Sequence, residues 1–218
     1  MNQRTLLPDR LVWVGLGLTT ALLLLALLLG TLKTRSTRGE PPPVYGQVAE
    51  FTLTNQFGQP VSLADLRGKV WVADIIFTRC AGPCLKMTRQ MKDLQQSLPP
   101  GSRVQLISLT TDAGFDTPPV LKTYAERFGA DFNRWQFLTG GRKQIANLAT
   151  DSLKLTAIEK KPEERESEND LFIHSTTFVV VDKQARLRGV FETTDDGLDP
   201  QQVKKQILAT VQRLERES

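Results

Sequence analysis

Val70-Trp71-Val72-Ala73-Asp74-Ile75-Ile76-Phe77 runs without a break into Thr78-Arg79-Cys80-Ala81-Gly82-Pro83-Cys84. The first eight positions are apolar except for Asp74, as expected of a buried strand. Beyond Cys84 the apolar residues change to helical spacing. Met87, Met91, Leu94 and Leu98 fall three and four apart, until Pro99-Pro100-Gly101 stops the run. A buried strand that gives way to a helix leaves its connecting loop where α/β proteins place ligand sites. Here that loop carries both cysteines of the chain.

The flanking sequence extends the pattern in both directions. Residues 51–55 alternate, 56–59 offer a turn and 60–63 resume, which predicts a short N-terminal β-hairpin. Downstream, 104–109 predicts a strand and 119–128 a helix opened by Pro118-Pro119. Residues 135–138 predict a short strand, and 140–153 a helix with Ile145, Leu148, Ala149 and Leu153 on one face. The stretch 159–170 is highly charged and aperiodic and is expected to be a solvent-exposed loop. Strands at 176–181 and 186–191 flank a turn at 182–185, and an amphipathic helix over 200–214 closes the domain. This order implies an α/β class with a thioredoxin-like fold, a central mixed sheet flanked by helices.

Two cysteines and one histidine are the whole supply of thiols and imidazole. A disulfide between cysteines four apart closes too small a loop to restrict the unfolded chain much, so chemistry explains the pair better than structure does. At a helix start, partial positive charge and unpaired N–H groups favour thiolate over thiol. Thiolates serve both as nucleophiles of disulfide exchange and as soft metal ligands. Arg79 would add positive charge beside Cys80. His174 immediately precedes a strong strand pattern, and in this topology that loop passes the start of the first helix. Two thiolates and an imidazole suit Cu(I) and tolerate Cu(II) or zinc, although zinc usually takes a fourth ligand.

The remaining segments are extramural to that fold. Residues 11–32 are uncharged and almost wholly apolar; as a helix they would run about 33 Å, enough to cross a bilayer core. The run is longer than a signal-peptide core and has no clean cleavage pattern at its end, which favours a single N-terminal transmembrane anchor over a cleaved leader. Residues 1–10 would then be a cytoplasmic N-terminus, 33–43 a Pro-rich tether and 44–218 the folded domain. The 28 basic and 24 acidic residues are well mixed; without a basic stripe interleaved with aromatics, nucleic acid is not expected as a partner.

With these residues in view, the chain resembles the Sco (SenC) family of thioredoxin-like copper chaperones. The likeness is carried by Phe51 to Gly58 with Val61-Ser62-Leu63, then Phe77 to Cys84, Asp112, Asp116-Thr117-Pro118, Leu121 with Tyr124, and Phe172-Ile173-His174-Ser175-Thr176. The resemblance implies that Cys80, Cys84 and His174 bind copper, as Cu(I) or Cu(II), with Asp112 near the ligands. It also implies a part in maturing the copper A centre of cytochrome c oxidase. The partner would be that enzyme's copper-bearing subunit or another periplasmic copper or thiol protein, met on the periplasmic side of a bacterial inner membrane. Leu85 stands where the family usually has proline, Ile173 where it has aspartate, and Arg79 where it often has histidine. Against the metallochaperone stands an enzyme, a thiol–disulfide oxidoreductase that reduces cysteines of a periplasmic partner. A retained His174 favours the first, and the bare cysteine pair serves the second equally well.

Overall fold

The computed structural model describes residues 9–36, 41–80, 82–165, 171–194 and 197–217. Two compact units emerge, Met1–Pro41 and Pro42–Ser218. In the first, α1 (Asp9–Ser36) is a single helix whose described side chains, Trp13 to Leu28, are exposed. They cover about 24 Å of helix axis, and among the described residues no helix is long and apolar enough to cross a membrane. The span expected over 11–32 is therefore not shown by the described residues. Residues 37–40 of the expected tether lie outside them.

The second unit is built on one eight-stranded sheet. Its strands are β1 (Gly46–Gln47), β2 (Thr52–Asn55), β3 (Pro60–Ser62), β4 (Trp71–Ile76), β5 (Gln105–Thr110), β6 (Trp135–Thr139), β9 (Thr177–Val181) and β10 (Arg186–Glu192). A separate hairpin consists of β7 (Ala157–Glu159) and β8 (Phe172–His174). The helices are α2 (Leu63–Leu66), α3 (Pro83–Ser97), α4 (Pro118–Arg127), α5 (Arg142–Asn147) and α6 (Pro200–Arg216). The spatial order is β1-β10-β9-β4-β5-β6-β2-β3. β4, β5 and β6 run parallel, while β9 lies antiparallel to β4 and β2 to β6. The mixed sheet is present, and apart from 140–153, 159–170 and the segment of His174 the expected elements lie within two residues of their expected bounds.

Both faces of the sheet are covered, and the sequence of β4 shows why. Val72 and Ile76 pack with Met87, Met91 and Leu94 of α3, Leu121 and Tyr124 of α4, and Ile207 and Val211 of α6. Trp71, Ala73 and Ile75 face the other way, onto Leu63, Leu66, Ile145, Leu148 and Leu153. Every β4 residue is consequently buried, and a strand sandwiched between two layers reads as a continuous apolar run. The β2–β3 hairpin turns at Gly58, whose φ of +77° is a conformation that favours glycine. Asn55 caps the turn, its side-chain oxygen accepting the N–H groups of Phe57 and Gln59 at 3.0 Å each.

Three expectations change. The helix predicted over 140–153 is α5 followed by a π-helical turn, Leu148–Ser152. The loop predicted over 159–170 begins with the last residue of β7 and a 3₁₀ turn, Pro162–Glu164, and 166–170 lie outside the described residues. His174 ends a strand of its own rather than lying in a loop ahead of the next one. Periodicity misses strands of two or three residues because so few side chains cannot display an alternation.

The register also fixes the two poles of the sheet. Trp71 at the start of β4 pairs with Val181, Val181 with Leu187, and Leu187 with Gly46. The chain thus enters the sheet at the N-terminal end of β4, about 20 Å of strand from the end where the cysteine loop leaves. The buried Arg188 closes the entry, donating to the Pro42 carbonyl (2.9 and 3.0 Å), to Asp182 (2.7 Å) and to Glu217 (2.9 Å).

Candidate metal and redox centre

The site grows from the end of β4. The buried Phe77 follows the last strand residue, Ile76, and the chain then turns through Thr78 and Arg79 to Cys80, whose N–H donates to the Phe77 carbonyl at 3.2 Å. Gly82 is the N-cap of α3 and Pro83 occupies its first turn, where a proline's missing N–H removes no helical bond. Cys84 therefore sits within the first turn, as its spacing predicts. The Phe77 N–H donates to its sulfur at 3.5 Å. The two cysteines are thiols rather than a disulfide, and their sulfurs share a hydrogen bond.

Position does not make the pair equivalent. Cys84 is wholly buried, whereas Cys80 retains 8% exposure. Burial pushes the Cys84 thiol well up, and the adjoining Cys80 sulfur pushes in the same direction, with Asp74 adding a smaller effect. The expectation that the helix start would favour a thiolate is thereby corrected at Cys84: desolvation of the charged form outweighs the helix terminus. Asp74 is the one acid of the buried strand, fully enclosed, and by alternation it shares the face of Val72 and Ile76. Sequence reading registered it only as a break in an apolar run. On the same side, Thr88 donates to the Cys84 carbonyl and shares a hydrogen bond with the Tyr124 hydroxyl, both at 2.8 Å. Burial pushes the Tyr124 phenol up as well.

The loop between β5 and α4 braces the cysteine loop from outside. Asp112 is buried and takes the Arg79 guanidinium, with Nε at 3.0 Å. The same guanidinium lies 4.2 Å from the centroid of the Phe115 ring. The positive charge expected to bear on the thiols is thus neutralised by Asp112, which corrects that part of the reading. Asp116, also fully buried, accepts the Thr78 N–H at 3.1 Å and the hydroxyls of Thr78 and Thr110. Burial pushes its carboxyl up, opposed by those three bonds.

The hairpin brings the third expected residue toward this end of the sheet. β8 pairs with β7 so that Phe172 faces Glu159, Ile173 faces Ile158 and His174 faces Ala157 across the strands. Phe172 packs edge-on against Phe77, ring centroids 5.2 Å apart, in the core cluster that also contains Cys80 and Cys84. His174 ends this strand, two residues beyond Phe172. Its side chain is outside the described residues. Among the described residues no three His, Cys, Asp or Glu side chains gather as a metal site. The two described donors are sulfurs held together, a soft pair whose chemistry fits a soft metal ion.

Against known proteins, residues 41–212 match the family model described as SCO1/SenC. A Bacillus subtilis protein named SCO1 protein homolog is 40% identical over 162 residues, covering 72% of this chain and 81% of that one. A Stutzerimonas stutzeri protein provisionally named as copper-binding is 32% identical over 145 residues, covering 65% and 67%. Among solved structures, BsSco is 33% identical with a TM-score of 0.67 over 82% of this chain and 98% of that chain. It is described as a member of the Sco family of cytochrome c oxidase assembly proteins, with a disulfide switch.

Proposed function

This chain belongs to the SCO1/SenC family, and we propose that it is a membrane-anchored copper metallochaperone whose cargo is held by Cys80, Cys84 and His174. The observation that carries the reading is the meeting of two thiols at the start of α3 with the β8 strand packed through Phe172 on the adjoining Phe77. Two sulfurs and an imidazole form a low-coordination soft set suited to Cu(I) and tolerant of Cu(II). Asp112 and Arg79 stand behind this set and steady the loop. The recipient we propose is the copper-bearing subunit of cytochrome c oxidase or another extracytoplasmic copper protein, in keeping with the name of the BsSco family. Residues 11–32, within α1, are proposed as the single membrane span, 33–43 as the tether, and the bacterial periplasmic side as the location of the domain.

The test is copper loading. The reduced chain is titrated with Cu(I) and Cu(II), wild type beside His174→Ala. Loss or marked weakening of binding in the variant is expected; equal binding of both copper states would remove His174 from the ligand set.

A second reading is favoured by the asymmetry of the two thiols. Cys84 retains its proton while Cys80 is the one solvent reaches, so Cys80 is the natural nucleophile of a dithiol reductant. Its sulfur would attack a partner disulfide, and Cys84 would then displace the partner's thiolate. The result is a Cys80–Cys84 disulfide and two reduced partner thiols, two electrons having passed to the partner. Absence of turnover on peptide disulfides with any reductant would exclude that enzyme.

A further inference from the structure

Thr78, Arg79 and Cys80 form the described stretch of the loop that leads from the end of β4 toward the start of α3. Its support comes from elsewhere in the chain. Asp112 and Asp116 are offered by one segment, the turn between β5 and α4, and they hold successive residues: Asp116 takes Thr78 and Asp112 takes Arg79. Of the two, Asp116 is the more enclosed, with no solvent exposure. A carboxylate is costly to bury unless its lone pairs are filled by donors. Asp116 fills them with a backbone N–H from the cysteine loop, a hydroxyl from the same residue and a hydroxyl from the last residue of β5. Its own N–H donates to the Asp112 carbonyl at 2.8 Å, so the two acids form one rigid turn.

We infer that Asp116 is a positioning residue for the dithiol: by fixing Thr78 to the end of β5 it sets where Cys80 stands relative to Cys84. Thr78 is two residues from Cys80 and is joined to Phe77, which contacts both cysteines through its backbone N–H and carbonyl. Releasing Thr78 lets Cys80 move away from a Cys84 that is fixed in α3. The effect reaches copper and disulfide alike, because each requires both sulfurs at one place. The copper part rests on the function proposed above; the disulfide part does not.

The experiment compares wild type, Asp116→Asn, Thr78→Val and the double variant as full chains in detergent. Asn has nearly the size of Asp but one acceptor oxygen in place of two, and Val removes the Thr78 hydroxyl while leaving its N–H. Losses of ten- to a hundredfold in copper affinity are typical when a group that orients a ligand is changed. Asp116→Asn is expected to show such a loss, with a changed thiolate-to-Cu(II) absorption band. The reduction potential of the pair (disulfide plus two electrons and two protons giving two thiols) should rise, because a freed Cys80 disfavours the disulfide. A tenfold shift corresponds to about 30 mV. Thr78→Val should move these readouts in the same direction, and the double variant should be no worse than Asp116→Asn. A folded Asp116→Asn with wild-type absorption band and potential overturns the inference. If that variant does not fold, Thr78→Val with both readouts at wild-type values overturns it equally. Should wild type bind no copper, the copper reading fails by itself, and the potentials still decide the role of Asp116.

Discussion

The Cys84 thiol makes the sharpest test, since two physical effects at that atom predict opposite signs. Burial pushes its pKa up in the folded state; the start of a helix pulls a thiol down. In the unfolded chain Cys84 titrates near its ordinary value of about 8.5. With the folded pKa raised, the folded state retains a proton that the unfolded state releases above that pH. Stability is then fully present below pH ~8.5 and falls as pH rises, approaching about 1.4 kcal/mol per pH unit. Between pH 7 and pH 9.5 the loss integrates to about 1.4 kcal/mol from this one group. The perturbation is Cys84→Ala, which carries a pH-independent packing cost but no titration. The assay is urea unfolding of the reduced unit from Pro42 onward, variant and wild type, at pH 7.0, 8.5 and 9.5. The wild-type advantage should shrink by about 1.4 kcal/mol over that range. A lowered pKa would instead give an advantage that grows with pH up to about 8.5 and then levels off. An advantage that grew or stayed constant would refute the account of a buried, proton-holding Cys84.

Three further outcomes are expected. Phe172→Ala removes the ring that seats the β7–β8 hairpin on Phe77; at a loss of about 3 kcal/mol, the amides of Lys160 and Ser175, which close the two ends of the hairpin, should exchange roughly a hundredfold faster by hydrogen-exchange mass spectrometry. Gly68 precedes β4 with φ of +77° and open space around it, so Gly68→Ala should cost about 1–2 kcal/mol of backbone strain, visible as a drop of several degrees in Tm. Asp182 is held below the ordinary carboxyl range: burial opposes this, but bonds from the Arg186 backbone and the Arg188 and Arg186 side chains outweigh it. Its contribution is present above the unfolded pKa near ~3.9 and lost as pH falls through the lower folded value. The stability gap between wild type and Asp182→Asn should therefore hold from pH 7 to about 5 and close below about 4, as measured by thermal unfolding.

Long and doubly covered elements were readable from residues because burial leaves a mark at every position. β4 is apolar throughout, with Asp74 its single interruption, since helices lie on both of its faces, and α3 and α6 show their buried stripes at three- and four-residue spacing. What stayed hidden is set by single contacts between distant segments. β7 exists because 157–159 find 172–174 across thirteen or more residues, and nothing local at Ala157-Ile158-Glu159 announces a partner. The same holds for charge. Arg79 reads as a cation beside a thiol until Asp112, 33 residues on, is seen to take it. Cys84 reads as an activated thiol until its burial is known.

The departures at Arg79 and Ile173 from the resembled family become interpretable once the elements are placed. Arg79 takes up Asp112 and stacks on Phe115, so it replaces a histidine with a brace and brings no net charge to the sulfurs. Ile173 follows Phe172, and strand alternation puts it on the opposite face of β8 from that ring. There it is 49% exposed, directly across from Ile158 at 56%. An aspartate at 173 would occupy that outer face too, so its replacement changes the surface a partner meets and leaves the expected ligand set as it was. Two half-exposed isoleucines paired across strands, one of them adjacent to His174, mean that a difference from relatives carrying aspartate at this position should appear first in partner choice. Ile173→Asp should accordingly leave copper affinity unchanged while altering transfer to a recipient domain, and a shifted copper affinity in that variant would place residue 173 in contact with the site after all.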